Sequence, residues 1–430
     1  MKFLSLLYFH PILTAHPVRS FHMRFANIQR AGRYISSRSA STNLRDIPVS
    51  LSSSLPQCRQ QYSSFSLRLF STTNEDEDPT EREAGKKRVV FLGTPEVAAT
   101  TLRELHQDSI KPKNNNESYE IVCVITQPPK RRRRKGDKAE PSPVGRVAEE
   151  LGILVLSPEK MKDSDFLDSL EQNINPDLCI TAAYGQYLPK RFLAAPTLGT
   201  VNIHPSLLPR WRGASPVQRS LEAGDNPVGV TVLYTVSKMD AGPIIAQKEE
   251  SIVDKNIEDA TATKVLPWLF EIGTDLLIEK LPDILSGAVK FDTAKIQDES
   301  QVVQAAMIDS SEAEMKPWEE TATTLHNRLN GFSMWPGCFM YLEVGKGTKP
   351  VKFKILKTRL LEEKTEGTDI VEAGPSKKDG LRLVCFDGSI LEINSLQPAT
   401  KKPVDSLSFV NGLQGRTVRY VKTPEEVVAV

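Results

Sequence analysis

A chain of 430 residues with a formal net charge of +1 has room for two or three cores, and its charge balance excludes a uniformly basic nucleic-acid coat. Its five cysteines, Cys58, Cys123, Cys179, Cys338 and Cys385, contain no C-x-x-C pair, so neither a disulfide framework nor a zinc site is expected. No apolar run approaches the roughly 20 residues that a membrane-spanning helix needs.

The first 73 residues are rich in serine and arginine, with Asp46 their one acidic side chain. That composition predicts an organellar transit peptide over residues 1–73. The apolar opening from Phe3 to Leu13 is interrupted by His10 and Pro11, which weakens a secretory reading. Charge switches sign in N-E-D-E-D-P-T-E-R-E from Asn74, so cleavage is expected between Arg68 and Thr73, followed by an acidic flexible segment over residues 74–86. The run R-L-F-S-T favours the mitochondrial matrix, with the chloroplast stroma as second choice.

Strands predicted at Arg88–Phe91, Glu120–Thr126, Ile153–Leu156 and Leu178–Ala183 alternate with helices. The helices run from the G-T-P turn at 93–95 through His106, over Pro143–Leu151 and over Ser164–Gln172. This alternation predicts parallel βαβ units, hence an α/β domain with a Rossmann-like open, mostly parallel sheet. Residues 200–213 read T-V-N-I-H-P-S-L-L-P-R-W-R-G. The β-branched start is a buried strand, and Asn202 and His204 share one face of it. Pro205 ends the strand just as it presents His204, which is how open α/β sheets build sites at their carboxyl edge. Arg210 to Gly213, with Arg212 between, either shape a pocket or turn the chain into a helix at Ser215–Ala223 that Gly224 stops. Strands at Val228–Val236 and Pro243–Ile252 and a helical stretch at Asp259–Leu285 complete a catalytic domain over residues 87–286. Residues 287–315 read as a linker with some helix. Over residues 316–430, one helical segment at Thr321–Asn330 precedes short strands separated by Gly, Asp and Lys turns, which predicts a small antiparallel, OB-like β-barrel.

The polar pair gains a possible partner in Asp240 of K-M-D-A-G-P. A carboxylate beside an imidazole fixes its tautomer and stabilises its protonated form, and an amide N–H beside a reacting carbonyl stabilises an oxyanion. Together these groups suit acyl transfer to an amine, which needs charge stabilisation and proton traffic but no metal. Singly, each also fits a bland role: a core histidine, a turn asparagine, a loop aspartate. Ser206 lacks a G-x-S-x-G elbow and has no claim as a nucleophile. The run Lys130, Arg131, Arg132, Arg133, Arg134, Lys135 is either a solvated loop or localisation signal, or a contact for phosphates. Further on, Lys349, Lys352, Lys354, Lys357 and Arg359 lie on strand-like segments, with Lys401, Lys402 and Arg416 later. Lys352 and Lys354 share a face, the start of a positive stripe, while Trp335 and Pro336 are expected to pack the barrel.

The stretch V-N-I-H-P-S-L-L-P-R-W-R-G-A-S-P-V-Q, with M-D-A-G-P-I-I-A-Q downstream, resembles the formyltransferase family that uses 10-formyltetrahydrofolate. V-V-F-L-G-T-P-E, V-I-T-Q-P, P-S-P-V, A-A-Y-G-Q-Y-L-P-K, G-F-S-M-W-P-G-C-F and S-L-Q-P-A-T-K-K-P extend the likeness over residues 88–420, to the branch acting on methionyl-tRNA. The resemblance implies that Asn202, His204 and Asp240 are catalytic and that Ser206, Leu207, Leu208 and Pro209 contact the folate. It implies 10-formyltetrahydrofolate as formyl donor, methionyl initiator tRNA as acceptor, and a monomer that supplies organellar translation initiation. The basic run would lie beside the tRNA acceptor end, and the barrel, with Lys352 and Lys354, would hold the acceptor arm. A solid arginine block stands where bacterial relatives intersperse glycines, which points to electrostatic attachment. Two rivals are a formyltransferase for a small amine, such as glycinamide ribotide or an amino sugar, and a catalytically idle RNA-binding homologue. The barrel and basic insert argue against the purine enzyme, and the absence of a nucleotide-sugar dehydrogenase pattern argues against the fused sugar enzyme. Intact Asn202, His204 and Asp240 argue against the idle form.

Overall fold

The computed structural model describes residues 85–111, 119–131, 139–255, 257, 259–365, 370–373 and 379–421. The predicted leader, nearly all of the acidic segment, and Arg132, Arg133, Arg134 and Lys135 lie outside the described residues. Among those described, no helix is long and apolar enough to cross a membrane.

Strand β1 (Lys87–Gly93) leads through the G-T-P turn to helix α1 (Glu96–Ile110) and β2 (Tyr119–Ile125). A short hairpin, β3 (Lys130–Arg131) and β4 (Ala139–Glu140), precedes α2 (Pro143–Glu150), where the Ser142 hydroxyl accepts from Gly145 N and Pro143 opens the first turn. Then come β5 (Leu154–Leu156), α3 (Ser164–Ser169), β6 (Leu178–Ala182), α4 (Lys190–Ala194) and β7 (Thr200–His204). The domain continues with β8 (Arg210–Gly213), α5 (Pro216–Glu222), β9 (Val228–Tyr234), β10 (Ile244–Glu250) and α6 (Ala262–Leu285).

The main sheet has the order β10-β9-β7-β6-β1-β2-β5. It is parallel from β7 to β5, and β9 runs against both of its neighbours. The chain steps outward from β1 to β5, then returns to the other side of β1 at β6. That reversal is the switch point at which such sheets collect ligands beyond the carboxyl ends of their strands. Val89, Phe91, Leu178, Ile180, Val201 and Ile203 face one core, packed on α1, α5 and α6. Val90, Leu92, Cys123, Ile125 and Cys179 face a second core with Phe166 of α3 and Phe192 of α4. Strand alternation therefore puts Thr181, Asn202 and His204 on the second face. The buried thiols Cys123 and Cys179 are pushed up by desolvation and serve as apolar filling.

The stretch expected to be an irregular linker is partly built into this domain. Its strand β11 (Val303–Ala305) pairs in parallel with β8. Neither strand has the alternation or length that would announce it: one is R-W-R-G, the other three residues.

The second domain opens with α7 (Ala322–Gly331), capped by the Thr321 hydroxyl. It continues through β12 (Cys338–Val344), β13 (Val351–Lys364), β14 (Ile370–Ala373), β15 (Leu381–Val384), β16 (Ser389–Pro398), β17 (Val404–Asp405), α8 (Ser406–Leu413) and β18 (Val418–Tyr420). Strands β13-β12-β18-β14-β15-β16 form an antiparallel sheet that closes through β13–β16 pairing, the barrel expected from the sequence. Register shifts between Ile355 and Thr358 let the long β13 bend around the closure. Helix α8 was not anticipated; Asp405 caps its start and Arg416 donates to the carbonyls of Leu413 and Gly412 at its end. Arg328 of α7 donates to Glu222 of α5 at 3.3 Å, and Arg219 joins Glu222 at 2.7 Å to Glu312 at 2.8 Å. Lys357 of β13 reaches Asp259 at 2.7 Å.

Candidate active site

Beyond the carboxyl ends of β6 and β7 lies a cavity of about 440 Å³, and it brings Asn202, His204 and Asp240 together. Each polar group there has its orientation set by a neighbour. Thr181 sits opposite Asn202 in the parallel register, and its hydroxyl donates to Asn202 Oδ1 at 2.7 Å. With Oδ1 committed, the Asn202 amide has its two N–H groups left to donate into the cavity that it lines.

His204 is held differently from the sequence expectation. Its Nε2 lies 3.0 Å from the carbonyl of Trp211, and because a carbonyl only accepts, Nε2 is the donor. The Trp211 carbonyl thus fixes the tautomer. Asp240 stands 3.7 Å from Nδ1, beyond hydrogen-bond range, with its carboxylate facing that side of the ring. The other Asp240 oxygen accepts from Gly213 N at 2.9 Å. So one strand, β8, holds both partners: the backbone of residue 211 takes the histidine and that of residue 213 takes the aspartate. Gly213 is required because φ is +137° and an added Cβ would lie 2.5 Å from the Ala305 carbonyl.

The side chain between them points elsewhere. Arg212 is 1% exposed; its Nε donates to Gln297 Oε1 and its Nη1 to Glu299, both at 2.9 Å. Gln297 Nε2 in turn donates to the carbonyls of Asp240 at 2.8 Å and Gly242 at 2.7 Å. Glu299 also pairs with Lys238 at 2.7 Å, on the same loop as Asp240. Gly242 packs so closely against the Tyr234 carbonyl that no Cβ would fit there.

Three non-glycine residues around the cavity have left-handed backbones: Ala183 at φ +46°, Trp211 at +69° and Asp240 at +50°. Each costs about 1–3 kcal/mol and persists only where surroundings over-determine it. Such strain clusters where geometry matters more than stability.

Ser206, Leu207, Leu208 and Pro209 do not line this cavity; Pro205 does. Their loop is fastened to the sheet instead. Thr231 donates to the Ser206 carbonyl at 2.7 Å and accepts from Leu208 N, while Gln247 donates to the Leu208 carbonyl at 2.8 Å. The Ser206 hydroxyl donates to the Arg210 carbonyl, and Leu208 packs on Leu233 and Ile244. Arg210 and Trp211 bind Asp225 with three hydrogen bonds. Burial opposes ionisation of Asp225, yet these donors win and hold its carboxyl below the usual range. The loop therefore acts as the brace that delivers the Trp211 carbonyl to His204.

Residues not singled out from the sequence form much of the wall: Ala183 to Leu188 after β6 and Thr235 to Ser237 after β9. The A-A-Y-G-Q-Y-L-P run entered the sequence reading only as part of the family likeness; its place after the strand beside β7 is the signal that could have found this wall. Thr94 and Gln127 both donate to the Tyr184 carbonyl, at 2.9 and 3.3 Å, tying the G-T-P and T-Q-P turns to it. Gln127 also accepts from Lys130 Nζ at 2.9 Å, which anchors the base of the basic hairpin near the cavity wall. No group of three or more His, Cys, Asp or Glu among the described residues is arranged to hold a metal.

On the barrel, Lys352 and Lys354 are exposed on one side of β13, as their spacing required. Of the other anticipated cations, Lys357 pairs with Asp259, Arg359 with the buried Glu392, and Arg416 with the end of α8, while Lys349, Lys401 and Lys402 are exposed. Trp335 packs against the barrel core.

Comparison with known proteins places these two domains together. Residues 87–267 match the family described as Formyl transferase, and residues 308–414 the one described as Formyl transferase, C-terminal domain. The class is thus an enzyme that moves a formyl group. The chain is 36% identical over 327 residues to the methionyl-tRNA formyltransferase of Lysinibacillus sphaericus strain C3-41, spanning 75% of this chain and 95% of that protein. It is 37% identical over 327 residues to that of Listeria innocua serovar 6a, spanning 76% and 95%. Among solved structures, an N-formyltransferase from Helicobacter canadensis is 17% identical, spans 73% of this chain and 99% of that one, and has a TM-score of 0.48. The chain belongs to the methionyl-tRNA formyltransferase family and transfers a formyl group to methionyl-tRNA.

Proposed function

We propose that the donor is 10-formyltetrahydrofolate, that the acceptor is the α-amine of methionyl initiator tRNA, and that Asn202, His204 and Asp240 carry the chemistry. The observation that carries this reading is the convergence of a fixed amide, a tautomer-fixed imidazole and a carboxylate on one cavity with largely apolar walls. The amine attacks as the neutral species; a free α-amino group has a pKa of about 7.7–8.0, so a modest push suffices. The amine nitrogen bonds to the formyl carbon, and the carbonyl π pair moves to oxygen. Asn202 donates to that oxyanion. His204 takes the ammonium proton on Nδ1, where Asp240 stabilises the imidazolium. The oxyanion then reforms the carbonyl, the bond to N10 of the folate breaks, and His204 returns the proton to N10. Formyl-methionyl-tRNA and tetrahydrofolate result.

In this reading the basic hairpin and the Lys352–Lys354 face attract tRNA phosphates, the hairpin near the cavity and the barrel along the acceptor arm. Purified enzyme is assayed with 10-formyltetrahydrofolate and either initiator methionyl-tRNA or glycinamide ribotide. Transfer to the tRNA alone is expected; failure of this donor to supply the formyl group would overturn the reading.

The composition of residues 1–73 supports a mitochondrial-matrix destination, where the product would start organellar translation. Residues 1–85 fused to a fluorescent protein should accumulate in the matrix. Accumulation in chloroplasts would move the assignment to the stroma.

A further inference from the structure

We infer that Gln297, seated by the buried guanidinium of Arg212, is a positioning residue for Asp240; the inference rests on the catalytic reading of Asp240. Gln297 lies beyond the catalytic domain as composition defines it, yet it is 5% exposed and reaches into the Asp240 turn. Its two ends are fully assigned. The carbonyl oxygen accepts from Arg212 Nε, and the amide nitrogen donates to the carbonyls of Asp240 and Gly242. Only an amide has an acceptor at one branch and two N–H donors at the other. Glutamate would keep the Arg212 contact and set an acceptor against two carbonyls.

The placement of this amide corresponds to the strain at the site. Asp240 is left-handed, and its turn has two carbonyls that must be satisfied away from water. Gln297 satisfies both and so holds the turn from the backbone side, while Gly213 N holds the carboxylate from the other. Arg212 makes the arrangement rigid. A charged side chain this buried tolerates few alternative poses, and its Nη2 has no hydrogen-bond partner among the described residues. Its remaining bonds, to Gln297 and to Glu299, therefore dominate its placement. Because Trp211 and Gly213 present their backbone to the His204–Asp240 pair, the alternation of β8 sends the intervening Arg212 side chain to the segment that carries Gln297. One strand thereby aligns the imidazole, the carboxylate and the clamp on the carboxylate's turn.

The test compares Gln297→Glu, Gln297→Met and Asp240→Asn with the full-length enzyme in formyl transfer to methionyl-tRNA. Misplacing a reacting group by about 1 Å costs about 10²-fold. Gln297→Glu is therefore expected to lose about 10²-fold in kcat, with KM for both substrates within about threefold, and its kcat–pH profile should take on that of Asp240→Asn. Gln297→Met keeps the side-chain length without any hydrogen bond, and should behave alike even if Gln297→Glu folds poorly. Wild-type kcat in either Gln297 variant, with Asp240→Asn inactive, would overturn the positioning role alone. A loss that follows only the folded fraction, with an unchanged pH profile, would also overturn it by showing a purely structural part. Near-normal turnover in Asp240→Asn would overturn the catalytic reading and this inference with it.

Discussion

At the carboxyl edge of the sheet, Asn202 is held by Thr181, His204 by the Trp211 carbonyl and Asp240 by Gly213 N. On the barrel, Lys352 rests its ammonium 3.4 Å above the Phe339 ring, and its neighbour Lys354 runs past Gly337. Burial lowers the Lys352 ammonium from its ordinary value, with Glu314 opposing, and the group stays accessible. The contrast follows from what each region handles. An oxyanion exists at one point for an instant, so its donor must be aligned beforehand. Phosphates are spread along a helix and attract cations over several ångströms through water, so adaptable lysines suffice.

Four substitutions or titrations probe that contrast, in falling order of effect. Asp240→Asn should lower kcat by about 10²–10⁴-fold while folate affinity stays near normal; a fall in affinity instead of kcat would make the carboxylate a ligand contact. Thr181→Val removes the bond that orients Asn202 and should cost about tenfold in kcat, less than the roughly 10²–10³-fold of losing an oxyanion donor outright. If single-turnover rates stay at wild type, the amide needs no such support. Lys352→Ala with Lys354→Ala should raise KM for tRNA, leave kcat alone, and flatten the log K against log salt slope by about one for each phosphate that is no longer neutralised. A kcat effect there would mean the barrel face aligns the substrate as well as attracting it.

The smallest effect concerns the join between the regions. His326 of α7 is hydrogen-bonded to Thr358 of β13 and to Asn330, and burial pushes it below the usual imidazole range, with Asp259 opposing. Its folded-state pKa thus lies under the unfolded value of about 6.5, so the unfolded chain binds the proton first. This contribution is present above the unfolded value and is lost as pH falls through the folded one. Scanning calorimetry from pH 7.5 to 5.5 should show Tm lowered by about 1–2 °C, a drop that is smaller in His326→Asn. Equal slopes in both proteins would remove His326 from the pH dependence.

The large elements were legible because the physics that forms them is local and repetitive. Runs such as V-V-F-L and V-G-V-T-V-L-Y cannot be exposed, and their order with helices fixed an open sheet. Asn202 and His204 were legible as a polar pair on one strand face before Pro205, with Asp240 as a candidate partner; the structure brings the three to one cavity, while their catalytic roles came from the family resemblance. What escaped was set by distant pairing. Nothing within R-W-R-G shows that its backbone will hold a histidine at 204 and an aspartate at 240. Gln297 sits in a polar stretch, K-I-Q-D-E-S, whose role depends on a carbonyl 57 residues earlier. The Ser206–Pro209 run took its folate role from the family resemblance, and nothing in its spacing showed that the Ser206 hydroxyl and the Ser206 and Leu208 carbonyls would brace the loop.

The pairing of β8 with β11 also sets where this protein can be divided. A cut at residue 286 follows the change in composition but leaves behind Gln297 and Ala305, whose carbonyl accepts from Ala214 N. A chimera that exchanges barrels between relatives should therefore be spliced just beyond residue 305 and before Ile308, which already packs in the barrel core. The catalytic module, as a unit of inheritance or of engineering, reaches about twenty residues past the end of its last long helix.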